Sequence, residues 1–234
     1  SRTKNRERYI MDTNKIKKGL GRGLSSLIGE TKTETNTNKI LISDLVSNKF
    51  DAGGLKRAQK SGIENIVLDN LQYADRRSFD FVLESKLKKY NLDLIVLAGF
   101  MRILTSDFVE AFAGRILNIH PSLLPKYRGL HTHQKALDAG DKNAGATVHF
   151  VTSELDGGPS IIQAVVPILK NDSVDALARR ILIKEHQIYP LAVKLFCEGR
   201  LSLIDEKAVF DSAILPKNGL RFTDELIKLE QYIC

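Results

Sequence analysis

The chain has 234 residues, enough for one sizeable α/β domain around a buried core. Hydrophobic content of 43% with 27% charged residues sits near globular averages and argues against a disordered or membrane-embedded chain. The longest apolar run, Leu94 to Met101, is eight residues, against the roughly 20 that a spanning helix needs. The net charge of +7 is concentrated at the N-terminus, where the first thirty residues carry eight Lys/Arg against three Asp/Glu, a balance of +5. The remaining +2 is ordinary for an enzyme of anionic small molecules and gives the main domain no nucleic-acid signature. Charged from Arg2 to Arg8, the N-terminus lacks the apolar core of a secretory signal. Cys197 and Cys234 have neither disulfide-framework nor ligand-like spacing, so a reducing cytoplasm is expected.

In chain order, residues 1–38 are polar and rich in Thr, Asn and Lys, and read as a basic, mobile extension. Lys39 to Val46 is expected as a strand, Ala52 to Ser61 as a helix, Asn65 to Leu68 as a short strand, and Arg77 to Tyr90 as an amphipathic helix. Asp93 to Ala98 is the clearest strand, apolar on both faces after its leading aspartate, as a central parallel strand should be. A helix over Ser106 to Phe112, with Ser106 as N-cap, precedes a strand over Arg115 to Ile119. His120 then opens a Pro-rich loop. A short helix near Gln134 to Ala139, β-branched strands at Ala146 to Thr152 and Ile161 to Ile168, and a long helix from Asp172 to Cys197 follow. Leu201 to Ile204 and Ala208 to Phe210 close the pattern. This alternation predicts an α/β fold: a mostly parallel, twisted sheet, with two neighbouring late strands antiparallel.

In open α/β sheets, reactive groups gather beyond the carboxyl ends of the strands. Asn118 and His120 stand at such an end, two residues apart and so on one face of the strand. Pro121 and Pro125 stiffen the loop that follows. Asp156, flanked by Gly157 and Gly158, lies in the loop between the two late strands, and a carboxylate beside His120 would favour the charged imidazole. Together these residues suit acyl transfer without a metal or covalent intermediate. Asn118 and His120 would stabilise a developing oxyanion while Asp156 orients the ring. His131 and His133 complete no recognised metal-ligand set, and His149, mid-strand, suits a hydrogen-bonded core position as well as a supporting role.

The runs AGFMRIL (Ala98 to Leu104), LNIHPSLLPKYRGLHTH (Leu117 to His133), HTHQKAL (His131 to Leu137), TVHFVTSELDGGP (Thr147 to Pro159) and KEHQIYP (Lys184 to Pro190) stand in an order and spacing that resemble the folate-dependent glycinamide ribonucleotide formyltransferases of purine synthesis. The resemblance covers about residues 47–203. It implies a single formyltransferase-type domain, expected over 39–210, with 211–234 as a C-terminal extension bearing a short helix. It implies 10-formyltetrahydrofolate as formyl donor and the amine of glycinamide ribonucleotide as acceptor, with Asn118, His120 and Asp156 at the catalytic positions. By the same resemblance the folate site draws on Arg76, on Met101, Arg102, Ile103 and Leu104, on Asn118, and on the loop Thr152, Ser153, Glu154, Leu155 and Asp156. Leu182, Ile183, Lys184 and Glu185 fall on the segment that helps hold the ribonucleotide. His131-Thr132-His133 and Gly157-Gly158-Pro159 resemble the glycinamide enzymes more than methionyl-tRNA formyltransferase or formyltetrahydrofolate hydrolase.

The family's opening strand and glycine-rich phosphate loop are not clearly supplied. Asn14 to Lys18 is too charged for a central strand, and Gly21 and Gly23 alone are weak candidates for a phosphate site. Instead, KKGLGRGLSSLIGE (residues 17–30) resembles the N-terminal segment of ParB chromosome-partitioning proteins, which implies contact with a ParA-like ATPase. The expectation is therefore a basic tail in place of the first βα unit. The alternatives to an active formyltransferase are a folate-binding chimera with impaired catalysis, or a partition-system adaptor acting through that tail.

Overall fold

The structure is a computed structural model that describes residues 11–13, 42 and 44–223. The ParB-like segment, Gly21 and Gly23, and the expected C-terminal helix lie outside the described residues. The chain divides into two compact units, residues 1–118 and 119–234.

In the first unit every described strand pairing is parallel. Strand β1 (Met11–Thr13) pairs with β4 (Ile95–Ala98), which pairs with β5 (Ile116–His120) through Leu97 opposite Asn118. A separate parallel pair joins β2 (Asp44–Ser47) to β3 (Glu64–Val67). The helices are α1 (Gly53–Lys60), α2 (Arg76–Leu87) and α3 (Ser106–Ala111). Segment 1–38, read as an extension, thus contributes a strand beside β4. Three residues are too few for hydrophobic periodicity to register, which is why the sequence did not announce it. The α2 start is fixed by a capping box in which the Asp75 carboxylate accepts from the Ser78 N–H at 2.7 Å and the Ser78 hydroxyl accepts from the Asp75 N–H. Such a cap stabilises a helix by about 1 kcal/mol. The α3 cap is Thr105 rather than the expected Ser106, and the Thr105 N–H in turn donates to buried Asp80 at 2.6 Å. That bond ties the loop after β4 to α2, although desolvation pushes the Asp80 carboxyl up and the hydrogen bonds only partly offset it.

In the second unit β6 (Asn143–Phe150) and β7 (Ser160–Pro167) form the expected antiparallel pair, and β11 (Leu220–Arg221) adds in parallel to β7. A small antiparallel sheet holds β8 (Leu201–Ile204), β9 (Lys207–Phe210) and β10 (Ala213–Ile214). Residues past 210, expected as an extension, thus supply two strands. They are only two residues each, again below the reach of periodicity. Helix α4 (Thr132–Asp138) follows the Pro-rich loop. Helix α5 (Val174–Cys197), capped by the Ser173 hydroxyl, buries Leu177, Ile181, Ile188, Leu191, Val193 and Leu195 and packs on β6 and β7. Pro190 removes one backbone donor inside α5, and burial of the apolar face on both sides of it sustains the helix. Among the described residues no helix is long and apolar enough to cross a membrane.

The β6/β7 pair has small residues where backbones crowd. A Cβ on Gly145 would lie 2.0 Å from the Ala164 carbonyl oxygen and 2.7 Å from Leu123 Cδ2. Gly145→Ala is therefore expected to destabilise the fold by about 1–3 kcal/mol, read as a lower urea midpoint at unchanged slope; an unchanged midpoint would contradict the packing described. His149, 2% exposed in β6, is held neutral by burial, which pulls its pKa down to about 4 against the opposing pull of its bond to the Phe150 carbonyl and of Asp156. The unfolded ring titrates near 6.5, so this contribution to stability is complete above pH ~6.5 and falls as the pH drops towards ~4, by about 1.4 kcal/mol per pH unit. His149→Gln should flatten that part of the pH–stability curve between pH 6.5 and 5; equal slopes in the two proteins would exclude the assignment.

Candidate active site

Strand β5 ends at His120, one residue later than expected, so the histidine is part of the sheet and not the first residue of the loop. Asn118 precedes it by two positions on the same strand and is part-buried. The Pro-rich loop beyond is held in register by one buried polar cluster. The Thr147 hydroxyl on β6 donates to the Ser122 carbonyl at 2.7 Å and accepts from the Leu124 N–H at 3.1 Å. Gln163 on β7 donates its amide to the Leu124 carbonyl at 2.7 Å and to the Thr147 hydroxyl at 3.0 Å. Each such bond, shielded from water, contributes about 1 kcal/mol net, and leaving a partner unmade costs more. These bonds hold the loop's path at Ser122 and Leu124.

Two loop groups converge on the His120 side chain. Its Nε2 lies 2.9 Å from the Tyr127 carbonyl oxygen. Its Nδ1 lies 3.4 Å from the Asp156 carboxylate, both side chains being about nine-tenths buried. A carbonyl only accepts, so Nε2 carries a proton, and Nδ1 faces the carboxylate. The same Asp156 oxygen accepts from the Gly129 N–H at 2.9 Å, and its other oxygen stands 3.8 Å from His149 Nε2. His149 donates Nδ1–H to the Phe150 carbonyl and is held neutral by burial, which leaves its Nε2 without a proton to give the carboxylate. The His133 pKa is also lowered, first by burial and then by His120. Asp156 adopts a φ of 47° and Tyr127 a φ of 56°, the left-handed region, which costs a non-glycine residue about 1–2 kcal/mol. Both of these residues present groups to His120. Gly158 permits the turn after Asp156, since a Cβ there would lie 1.9 Å from the Phe150 carbonyl oxygen.

The residues expected to meet a folate fall into two groups, one in each unit. In the first unit Arg76 is exposed at the start of α2, Met101 and Ile103 are each 47% exposed, and Leu104 is buried. Arg102 lies 4.5 Å over the Phe79 ring, has a buried Nε with no hydrogen-bond partner, and borders an open cavity of about 510 Å³. In the second unit Thr152, Ser153, Glu154 and Leu155 form the loop before Asp156, with Leu155 46% exposed and Glu154 ion-paired to Arg128. Leu182, Ile183, Lys184 and Glu185 occupy one turn of α5. Lys184 Nζ lies 5.4 Å from the Phe222 ring, and burial pushes the Glu185 carboxyl up to about 7. Sequence reasoning missed Tyr127, Gly129, Thr147 and Gln163. Only the last two left a signal, as polar side chains within strongly apolar strands. Among the described residues no three or more His, Cys, Asp or Glu side chains are grouped to hold a metal ion.

The arrangement can hold a charged imidazole against a buried carboxylate at a strand end, which suits stabilisation of negative charge and short-range proton movement. Comparison with known proteins agrees in family. Residues 17–193 match the formyl transferase family model, a span that begins within the segment read as an extension. The phosphoribosylglycinamide formyltransferase of Escherichia coli (strain K12) is 47% identical over 201 residues, covering 86% of this chain and 94% of that one. Its counterpart from Haemophilus influenzae is 49% identical over 178 residues, covering 76% and 84%. The solved phosphoribosylglycinamide formyltransferase of Coxiella burnetii superposes with a TM-score of 0.82 at 38% identity, covering 93% of this chain and 99% of that one. The strand-end histidine with its carboxylate, the α/β framework and these similarities lead to one conclusion: the chain belongs to the formyl transferase family.

Proposed function

We propose that this protein transfers a formyl group from 10-formyltetrahydrofolate to the primary amine of glycinamide ribonucleotide, in purine synthesis. The observation that carries the reading is the buried approach of His120 Nδ1 to Asp156 at 3.4 Å, in a chain 47% identical to an enzyme named for that acceptor. The residues also fit a folate. In the first unit Met101 and Ile103 offer exposed apolar contact for a flat ring, and Arg102, with its unpartnered Nε, suits the carboxylates of a glutamyl tail.

The donor supplies a formyl carbon bonded to a nitrogen that can leave once it is protonated. Attack by the amine moves negative charge onto the formyl oxygen, where Asn118 and the Nδ1–H of protonated His120, shared with Asp156, donate hydrogen bonds. Asp156 offsets the imidazolium charge and fixes the ring, and its position lets it accept the proton that the attacking amine must lose. The proton then returns to the departing folate nitrogen as the carbon–nitrogen bond breaks, so that one bond to the formyl carbon forms, one breaks, and no proton is gained or lost overall. Nothing in this sequence needs a covalent enzyme intermediate. Glu185 and its neighbours on α5 are placed by this reading at the ribonucleotide, where an acceptor carboxylate suits sugar hydroxyls. The burial that raises its pKa to about 7 makes its ionised form available mainly above that pH.

Asp156→Asn preserves shape and removes the charge. Its expected effect is a fall in kcat of about 10²- to 10⁴-fold with each substrate's Kd within about threefold of wild type, measured by steady-state kinetics and calorimetry. Wild-type turnover in Asp156→Asn would remove the carboxylate from the mechanism.

A further inference from the structure

The Tyr127 carbonyl that engages His120 is available only because Tyr127 is held in the left-handed region, at φ 56°. A non-glycine residue stays there only where its surroundings over-determine it. The surroundings here are specific. The Tyr127 hydroxyl donates to Asp141 Oδ2 at 2.8 Å, and Lys126 Nζ lies 2.9 and 3.0 Å from the two Asp141 oxygens. Asp141 is kept ionised by Lys126 first and by Tyr127 second. Ser122 Oγ donates to the Lys126 carbonyl at 2.6 Å, closing the turn immediately before Tyr127. Asp141 sits between α4 and β6, two residues ahead of a strand that is buried almost throughout, so the phenol is anchored to a rigid part of the second unit.

We propose that Tyr127 and Asp141 are positioning residues for formyl transfer: the phenol–carboxylate anchor holds the Tyr127 carbonyl on His120 Nε2, which fixes the ring's rotation and keeps Nδ1 as the working nitrogen. The proposal rests on the reading of His120 and Asp156 given above. Its logic is that of any imidazole whose active nitrogen is chosen by the bond the other nitrogen makes. With Nε2–H committed to a carbonyl, the lone pair or second proton must reside on Nδ1, the side of the ring that Asp156 faces. Released from the anchor, Tyr127 relaxes towards ordinary φ, its carbonyl swings away, and the ring samples both tautomers and rotamers.

The test is a set of full-length variants: Tyr127→Phe, Asp141→Ala, their double mutant, and Asp156→Asn. Tyr127→Phe and Asp141→Ala should each lower kcat by about 10- to 100-fold, with KM for both substrates within about threefold, the scale on which small misplacement of a reacting group acts. Their effects should not add, since each removes the same anchor. The readout that a merely structural role would not move is the His120 imidazole itself. Its 15N shifts, taken on the neutral ring, should show the Nε2–H form in wild type and a mixture of tautomers in both variants, with the thermal midpoint recorded alongside. If Tyr127→Phe does not fold, Asp141→Ala carries the same readouts. Wild-type kcat with an unchanged Nε2–H signal in Asp141→Ala would overturn the proposal, as would a loss expressed in KM alone. Loss of activity in Asp156→Asn together with unaffected anchor variants would reject the anchor and leave the catalytic reading standing; unaffected Asp156→Asn would reject that reading itself.

Discussion

A histidine ring offers two nitrogens, and in this chain each has been given its own acceptor. The backbone oxygen of Tyr127 lies 2.9 Å from Nε2, while the Asp156 carboxylate lies 3.4 Å from Nδ1. Only the doubly protonated ring donates to both, and the carboxylate meets a second donor in the Gly129 N–H. The chemistry proposed for the site depends on that arrangement, because an imidazolium with a fixed orientation can stabilise an oxyanion without first reorganising. The neighbouring histidines are both shifted away from the charged form. His149 is pulled down by burial to about 4, and His133 is lowered by burial and by His120.

The arrangement is stabilised from outside the site. Thr147 and Gln163, buried on β6 and β7 and bonded to each other, together make three hydrogen bonds that pin Ser122 and Leu124, and so determine where the chain emerges towards Tyr127 and Gly129. The β6/β7 pair can supply those groups because it is packed tightly around Gly145 and covered by the apolar face of α5. Two residues at φ 56° and 47° carry the local cost of aiming a carbonyl and a carboxylate at one ring, and the packed strands absorb it. Stability and the proposed chemistry are thereby assigned to different residues: Thr147 and Gln163 on the strands hold the path, while Tyr127 and Asp156 in the loops meet His120.

Much of this was legible in the residues alone, for identifiable reasons. Long periodic segments such as α5 and the β-branched β6 and β7 appeared within a few residues of their expected positions, since burial of a whole face leaves a pattern. Asn118 and His120 were readable from two-residue alternation at a strand end, and Asp156 from its Gly-Gly context. What escaped notice was short or made of backbone. Three residues at β1 and two each at β10 and β11 leave no periodic trace, and the expected boundaries at 38 and 210 passed over them. The contribution of Tyr127 comes through its carbonyl, which every residue possesses, and that of Gly129 through its N–H; side-chain chemistry says nothing of either. Thr105, and not Ser106, caps α3 because the chain enters the helix one residue earlier, a choice two adjacent hydroxyl residues cannot decide between themselves.

The central claim is that the carbon held at this site passes from a folate nitrogen to a glycinamide nitrogen and not to water. Donor labelled with 13C in its formyl group, incubated with the wild-type protein and followed by NMR, measures that directly. The account predicts that the label appears as a formamide on the ribonucleotide, in step with loss of donor, and that the donor persists when the ribonucleotide is withheld. Release of the label as free formate at the same rate with and without the ribonucleotide would contradict it.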